Sequence, residues 1–594
     1  MRAVPKMANA TKSHDYYIGV DVGTGSARAA LVGCDGEIVA ESTYTTTTYR
    51  DDHNHDIFEQ STTEIWNSIA KACKDCLRDG KITPEQVKGI GIDFEGEPMS
   101  ITENEWGSGE SKRNIILWAD HRAREEANLI NSSGSPVLQY VGGTMSLEME
   151  IPKVLWLKRH MPEQLFKQSM FFDLPDFLTY RATGNLARSN CSLACKCSYV
   201  PPEVEGHKGW NDDFFKKIGL PEFVESDFKQ VGGSPGKLGL ILTAGQPVGS
   251  GLTEKAANEL GLLPNTPVGS GVIDAYAGWI GVVAAKMEGE KDSDLGTSQH
   301  RLCVSAGTSS CHIVQSPNPV FVPGVWGPYL HAIFPGYWMN EGGQSSTGQL
   351  LDFIIDTHPA VEKVKALAQA KGVNHFVFLN DTLKQAQQDK KAPFLTYLTK
   401  DYYLYPDLHG NRSPLADNAM KGMLIGMSLD RGVMDLALRY FITCEAIALQ
   451  TRQIVDKMNE KGHKITSIFM SGGLVKNAIL MQLIAPGFHS ASVVLGSAML
   501  GKAAYVSTQL SQSQVISEQG IAEKRAHQMK DKLWEIMATC RTNSAIVGMS
   551  RPGTTIKPDL TEKEKKLLEV KYKIFNECID LQRKWRKDVE DALN

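Results

Sequence analysis

Tyr16 to Val20 is an apolar, β-rich run that the segment DVGTGS interrupts before Ala27 to Val32 resumes it. The turn from Cys34 to Glu37 then leads into a third run of the same kind, so the chain is predicted to open as a β-meander. The design recurs far downstream, where Leu302 to Ser305 is strand-like, AGTSS breaks it, and Cys311 to Val314 resumes. The turns GTGS (Gly23 to Ser26) and GTSS (Gly307 to Ser310) are nearly the same, which points to a duplicated domain with a ligand shared between the halves. Elsewhere helical and strand patterns alternate: helices over Thr62–Leu77 and Leu436–Met458, strands over Val87–Ile92 and Ile465–Met470. The predicted class is α/β with mixed sheets. A polar stretch, MEGEKDSDLGTSQ, places the boundary between Ala285 and Gln299, and Thr561 to Leu593 reads as a charged amphipathic packing helix.

A chain of 594 residues exceeds a single hydrophobic core, in keeping with two large domains. The 63 basic and 68 acidic residues nearly balance, so no electrostatic reason arises for nucleic acid or an anionic membrane as partner. No apolar stretch is long enough to span a bilayer. Residues 1–14 are read as a disordered tail, since they lack the apolar core of a secretory signal; a mitochondrial leader is the lesser reading. Eleven cysteines in so long a chain suit reduced thiols and a cytoplasmic protein. Cys73 and Cys76 form a C-x-x-C inside a helical run with no second ligand pair, and His53 and His55 lie in a charged, solvated loop.

The candidate chemistry sits in the turns. Gly-Thr turns between strands present backbone N–H groups and hydroxyls that suit nucleotide phosphates, although an ordinary hairpin uses the same residues. Gly23, Thr24, Gly25 and Ser26 in the first turn, and Gly307, Thr308, Ser309 and Ser310 in the second, are therefore the candidate phosphate contacts. Asp21 directly precedes the first turn and is the candidate ligand for Mg²⁺ or its waters. In SGGLVKN, Gly472 and Gly473 stand at a strand-to-helix corner where a flat ring or phosphate can approach the backbone, with Asn477 following. Asp274 begins a small-residue helix after a strand; it is either an ordinary cap or the general base for a sugar hydroxyl. The sequence has no P-loop. Its G-x-S-x-G around Ser234 is followed by Pro235, which has no N–H for an oxyanion hole, so a hydrolase is disfavoured.

These turns in this order resemble the FGGY carbohydrate kinases, within the superfamily that includes actin and hexokinase. DVGTGS is similar to that family's first phosphate motif, AGTSS to its second and SGGLVKN to its adenosine motif. FEQS (Phe58 to Ser61), LWADHRA (Leu117 to Ala123), CSLACKCSY (Cys191 to Tyr199), VPGVWGPY (Val322 to Tyr329), NEGGQSSTG (Asn340 to Gly348) and HGNRSPLAD (His409 to Asp417) extend the likeness toward the pentulose kinases. The resemblance implies two actin-like (ribonuclease H-like) ATPase domains, over 15–287 and 298–594, with a nucleotide cleft between them and a C-terminal helical extension. It implies ATP and Mg²⁺, transfer of the γ-phosphoryl group to the terminal hydroxyl of a ketopentose, D-ribulose first, and a homodimer as in many family members. Asp274 matches the family's catalytic base, and Lys196 and Glu341 match positions that contact the ketopentose. Asp120, Arg122 and Asp93 fall in segments near the sugar.

Two departures stand out. After GIGID (Gly89 to Asp93) the chain passes straight to FEGEPMSI, without the pocket-forming segment usual in ribulokinases. After MQLIA (Met481 to Ala485) only PGFHSAS precedes the VLGSAMLG helix, and a strand beside the adenosine site is expected to be missing. The alternatives are therefore another sugar of the same family (L-ribulose, xylulose or glycerol), an inactive sugar- or nucleotide-binding protein, and a chaperone-like ATPase.

Overall fold

A computed structural model describes residues 15–94, 99–100, 112–286, 293–484, 490–491, 493–510, 515–538, 549 and 560–593. The expected tail over 1–14 and most of the departure after Asp93 lie outside these residues.

The meander forms as patterned. β1 (Tyr16–Gly23) pairs antiparallel with β2 (Ser26–Gly33), and β2 with β3 (Ile38–Thr45). Helix α1 (Thr62–Gly80) carries the chain back so that β4 (Val87–Phe94) lies parallel to β1. Its buried face includes Ile65, Trp66, Ile69, Ala72, Cys73 and Cys76, the three-and-four spacing of a core-facing helix. The C-x-x-C is thus core packing. After α2 (Glu150–His160) and α3 (Asn190–Lys196), β5 (Val272–Ile273) joins β4 in parallel and runs directly into α4 (Asp274–Val282). The first sheet has the order β5-β4-β1-β2-β3.

The second half repeats the scheme. β6 (Arg301–Ala306) pairs antiparallel with β7 (Ser310–Ser316), beyond which lie β8 (Trp326–Leu330) and β9 (Trp338–Gln344). Following α5 (Val433–Glu460), β10 (Ser467–Ser471) lies parallel to β6. β11 (Ser490–Ala491) pairs with β10, then α6 (Val493–Leu510) follows, and α7 (Glu562–Leu593) ends the described chain. The order is β8-β9-β7-β6-β10-β11. In each sheet the strand before the glycine turn is central, with an antiparallel neighbour on one side and a parallel one on the other. Most of the segment after Met481–Ala485, where a strand is expected to be missing, lies outside the described residues; those described there form the two-residue β11, registered Met470 to Ser490 and Ser471 to Ala491.

The two halves swap helices. α6, though it leaves the second sheet, lies across β1 and β4 of the first. A Cβ on Gly19 would meet Val494 O at 2.0 Å, one on Gly89 would meet Gly501 O at 2.2 Å, and one on Gly91 would meet Ser497 O at 1.9 Å. Gly19 and Gly91 are register partners, and Gly89 lies two residues before Gly91, so all three line one face. Conversely α4 leaves the first sheet and packs on the second, where a Cβ on Gly278 would meet Ser471 Oγ at 2.5 Å. Among the described residues no helix is long and apolar enough to cross a membrane.

Because backbone opposes backbone at Gly91, neither side can yield. Gly91→Ala is expected to destabilise the protein by about 3 kcal/mol, the upper end for overpacking. Gly520→Ala, in the first turn of the helix Gln519–Met537 with nothing within 4 Å of its added methyl, is expected to be neutral or stabilising. Thermal melts of the two variants check this.

Candidate active site

The two glycine turns and the strand-to-helix corner face one cleft of about 760 Å³. Its wall carries Asp21, Gly23, Thr24, Gly25 and Ser26 from the first half, Gly307, Thr308 and Ser309 from the second, Gly472 and Gly473 from the corner, and Asp274 from the start of α4. Cavities of roughly 300–1,000 Å³ hold ligands of nucleotide size. Both turns are braced from within. The Thr24 carbonyl accepts from Gln60 Nε2 at 2.7 Å, and Thr24 Oγ1 accepts from Trp118 Nε1 at 3.0 Å. The Gly307 and Thr308 carbonyls accept from the amides of Gly348 at 3.0 Å and Thr347 at 2.9 Å. Gly472 has φ +90°, and a Cβ there would stand 2.4 Å from Ala306 O, so glycine is needed for β10 to turn so close to β6.

Two of the residues expected at this cleft point inward instead. Ser310 is buried, its Oγ 2.9 Å from Thr347 Oγ1. Asn477 Oδ1 accepts from Tyr440 Oη at 3.1 Å and from Leu480 N at 3.2 Å, which caps the helix Ala478–Ile484. Both stabilise the wall from behind.

Three carboxylates come together at the ends of adjacent parallel strands: Asp21 on β1, Asp93 opposite it on β4, and Asp274 just after β5. Asp93 is wholly buried and accepts a hydrogen bond from Ser497 Oγ on α6. Burial, with Asp21 and Asp274 nearby, pushes its carboxyl well above the ordinary range. Burial also raises Asp21, against the pull of Arg28 3.9 Å away. Arg28 is the register partner of Asp21 on β2, lies 3.6 Å from Glu41, and lines the cleft, though the sequence reading did not single it out. An arginine in the otherwise small and apolar strand SARAALVG was the available signal. Asp274 Oδ1 accepts from Ala275 N at 2.6 Å.

Next to Asp274 and Cys311 lies a buried charged cluster. Arg412 donates to Glu341 on β9, reaches Glu148 at 3.4 Å, and covers the Trp326 ring at 3.8 Å. Lys196, at the end of α3, stands 5.4 Å from the same ring. Burial works against its charge, but Glu341, Glu148 and Asp173 hold it above the ordinary lysine range. Lys196 and Glu341 are thus neighbours, and Arg412, Glu148 and Trp326, which the sequence did not single out, complete the cluster. Asp120 and Arg122 pair with each other on the segment whose His121 ring lies 5.6 Å from that of His409, in the loop that carries Arg412. Asp120 is fully buried and accepts from Phe58 N at 2.8 Å and Arg122 Nη2 at 2.7 Å, and Arg122 also reaches Glu59 at 3.0 Å. Their charges are spent on each other, on the segment that carries Trp118.

The chain that carries these two glycine turns, the carboxylate and the buried polar cluster matches the profile of the FGGY family of carbohydrate kinases. Its N-terminal domain matches residues 16–281 and its C-terminal domain residues 302–505. The chain belongs to this family. This FGGY kinase is 43% identical to a D-ribulokinase of Saccharomyces cerevisiae, over 82% of this chain and 72% of the relative. It is 38% identical to the human FGGY carbohydrate kinase domain-containing protein, over 98% of this chain and 99% of that one. Among solved structures, a xylulose kinase from Rhodospirillum rubrum shares the fold with a TM-score of 0.67 at 17% identity, covering 96% of this chain and 99% of that one.

Beneath Lys196, the Cys197 thiol donates to Glu150 at 2.7 Å, and burial with Asp173 nearby pushes the Glu150 carboxyl up to about 7. An acid raised in the folded state favours folding below its unfolded value, and that contribution is lost as pH rises through about 7. The kinase is therefore expected to lose about 3 kcal/mol of this stabilisation between pH 4.5 and 7.5. Glu150→Gln should flatten that part of the curve, as measured by denaturant melts across the range.

Proposed function

We propose that this kinase transfers the γ-phosphoryl group of ATP to the terminal hydroxyl of a ketopentose, with D-ribulose as the preferred acceptor. The observation that carries the reading is Asp274, which lines the 760 Å³ cleft together with Cys311, the residue that Arg412 of the Lys196, Glu341 and Arg412 cluster contacts at 3.8 Å. The D-ribulokinase relative supports the choice of sugar. On this reading the halves over 15–287 and 298–594 are the two domains that close on the substrates.

The geometry supports the following roles. Gly23, Thr24, Gly25 and Ser26 hold the phosphates from one side, and Gly307, Thr308 and Ser309 from the other. Arg28 adds a cation, and Gly472 and Gly473 give the adenosine a flat backbone surface, with Asn477 bracing that corner. The cleft fits Mg²⁺, because Asp21 is a carboxylate beside the phosphate turns and this ion is commonly held by one or two carboxylates plus phosphate oxygens. Bound there, the ion would neutralise charge on the phosphates. Lys196 and Glu341 orient the sugar through its hydroxyls, and Asp274 takes the proton from the attacking hydroxyl as phosphorus accepts its oxygen. A second reading, nucleotide binding without transfer, is favoured by the two-residue β11 beside Gly472 and Gly473.

ADP release with Mg-ATP, measured with and without D-ribulose, L-ribulose, D-xylulose and glycerol, separates these. Stimulation by D-ribulose above the others is expected; no stimulation by any sugar in folded protein would leave the second reading. Asp274→Ala is expected to keep ATP affinity while turnover falls about 10²–10⁴-fold. Unchanged turnover would remove Asp274 from the role of base.

A further inference from the structure

Arg412 reaches the cluster from a loop rather than from a strand or helix, so something must hold that loop. Part of the answer is local. Asn411 and Asp417 exchange backbone hydrogen bonds of 3.0 Å on either side of it, and Ser413 Oγ donates to Gly324 O at 2.7 Å. The rest comes from α7, which lies beyond the residues matched by the family profile. Arg586 grips both oxygens of Asp417, at 2.9 and 2.6 Å, in the bidentate geometry that fixes orientation as well as distance. One turn earlier, Gln582 accepts from Lys421 N at 2.9 Å and donates to Lys421 O at 2.8 Å. Phe575 packs against Tyr405 with ring centroids 5.0 Å apart. A continuous set of contacts thus leads from Arg586 to Asp417, Asn411, Arg412 and finally Glu341.

We infer that α7 is a positioning brace for the sugar side, with Arg586 setting the loop that delivers Arg412 to Glu341 and Glu148. This rests on the reading of the Lys196–Glu341–Arg412 cluster as the sugar site. Arg586 touches no substrate and acts through Asp417. Its side chain is 34% exposed and that of Asp417 18%, so removing the guanidinium strands no deeply buried charge and the fold survives. What changes is the freedom of the loop, and with it the direction of Arg412.

The test uses the full chain with Arg586→Gln, the conservative Arg586→Lys, and Lys584→Gln on the exposed face of α7 as control. In Arg586→Gln the KM for the sugar is expected to rise about tenfold, with the KM for ATP unchanged. Arg586→Lys should recover part of the loss, and Lys584→Gln should match the parent. The cluster is also read without sugar through Trp326, whose emission is isolated by subtracting the spectrum of the matching Trp326→Phe protein. Loss of the guanidinium from its ring should shift that emission in Arg586→Gln. An unchanged sugar KM with unshifted Trp326 emission overturns the brace, as does an equal rise in both KM values with a lowered melting temperature. If the parent phosphorylates no pentulose, the sugar reading falls and the Trp326 shift alone decides: a shift upholds the brace, and its absence overturns it.

Discussion

A Cβ on Gly496 would stand 1.9 Å from the carbonyl oxygen of Ala277, so α4 and α6 cross with their backbones in contact. Each of these helices leaves one sheet and packs on the other, and the crossing therefore fixes how the two sheets face each other. The Gly23–Ser26 and Gly307–Ser310 turns lie at equivalent strand ends of the two sheets, and their separation is set by this contact. Asp274 is the first residue of α4, which places it where the halves meet. Even a methyl group at Gly496 would push the helices apart and widen the cleft. The runs of Gly, Ala and Ser in GSGVIDAYAG and VLGSAMLG are the sequence expression of that close approach.

On the other side of Asp274 the constraint is electrostatic. Glu341, Glu148, Lys196 and Arg412 are all largely removed from water, and an isolated charge there would cost several kcal/mol. Two carboxylates and two cations balance, so no charge of the cluster lacks an opposite neighbour. Burial lifts Cys311 and His312 shows the opposite effect, its ring pushed down to about 3, so the neighbours of the cluster stay neutral. The cluster is then a set of fixed donors and acceptors, the form of site that recognises hydroxyls with little reorganisation.

Much of this was legible in the chain itself. The meander, its repetition and the position of Asp274 follow from local patterns, because a glycine turn between two apolar runs has few alternatives. Lys196 and Glu341 came from likeness to a family rather than from pattern, since α3 and β9 are buried on all sides and show no clear alternation. Arg412 and Glu148 were out of reach for another reason: their meaning lies in a pairing across 264 positions of sequence, visible only once β9 and the loop are folded together. The swap of α4 and α6 is equally non-local, as a small-residue helix does not state which sheet it will cover. Asp120, Arg122, Ser310 and Asn477 show the converse, polar residues whose hydrogen bonds are satisfied within the wall they support.

The cleft's own charges bear on the proposed chemistry. Asp21, Glu41 and Asp274 face it with Arg28 and Lys476, three carboxylates against two cations. A polyanionic nucleotide would enter a site that is itself slightly negative, so side-chain charge alone does not hold it. Backbone amides at the two turns offset part of this, as oriented N–H groups do in other phosphate cradles. On the proposed reading, a divalent cation carried with the nucleotide, beside Asp21, would supply the remainder.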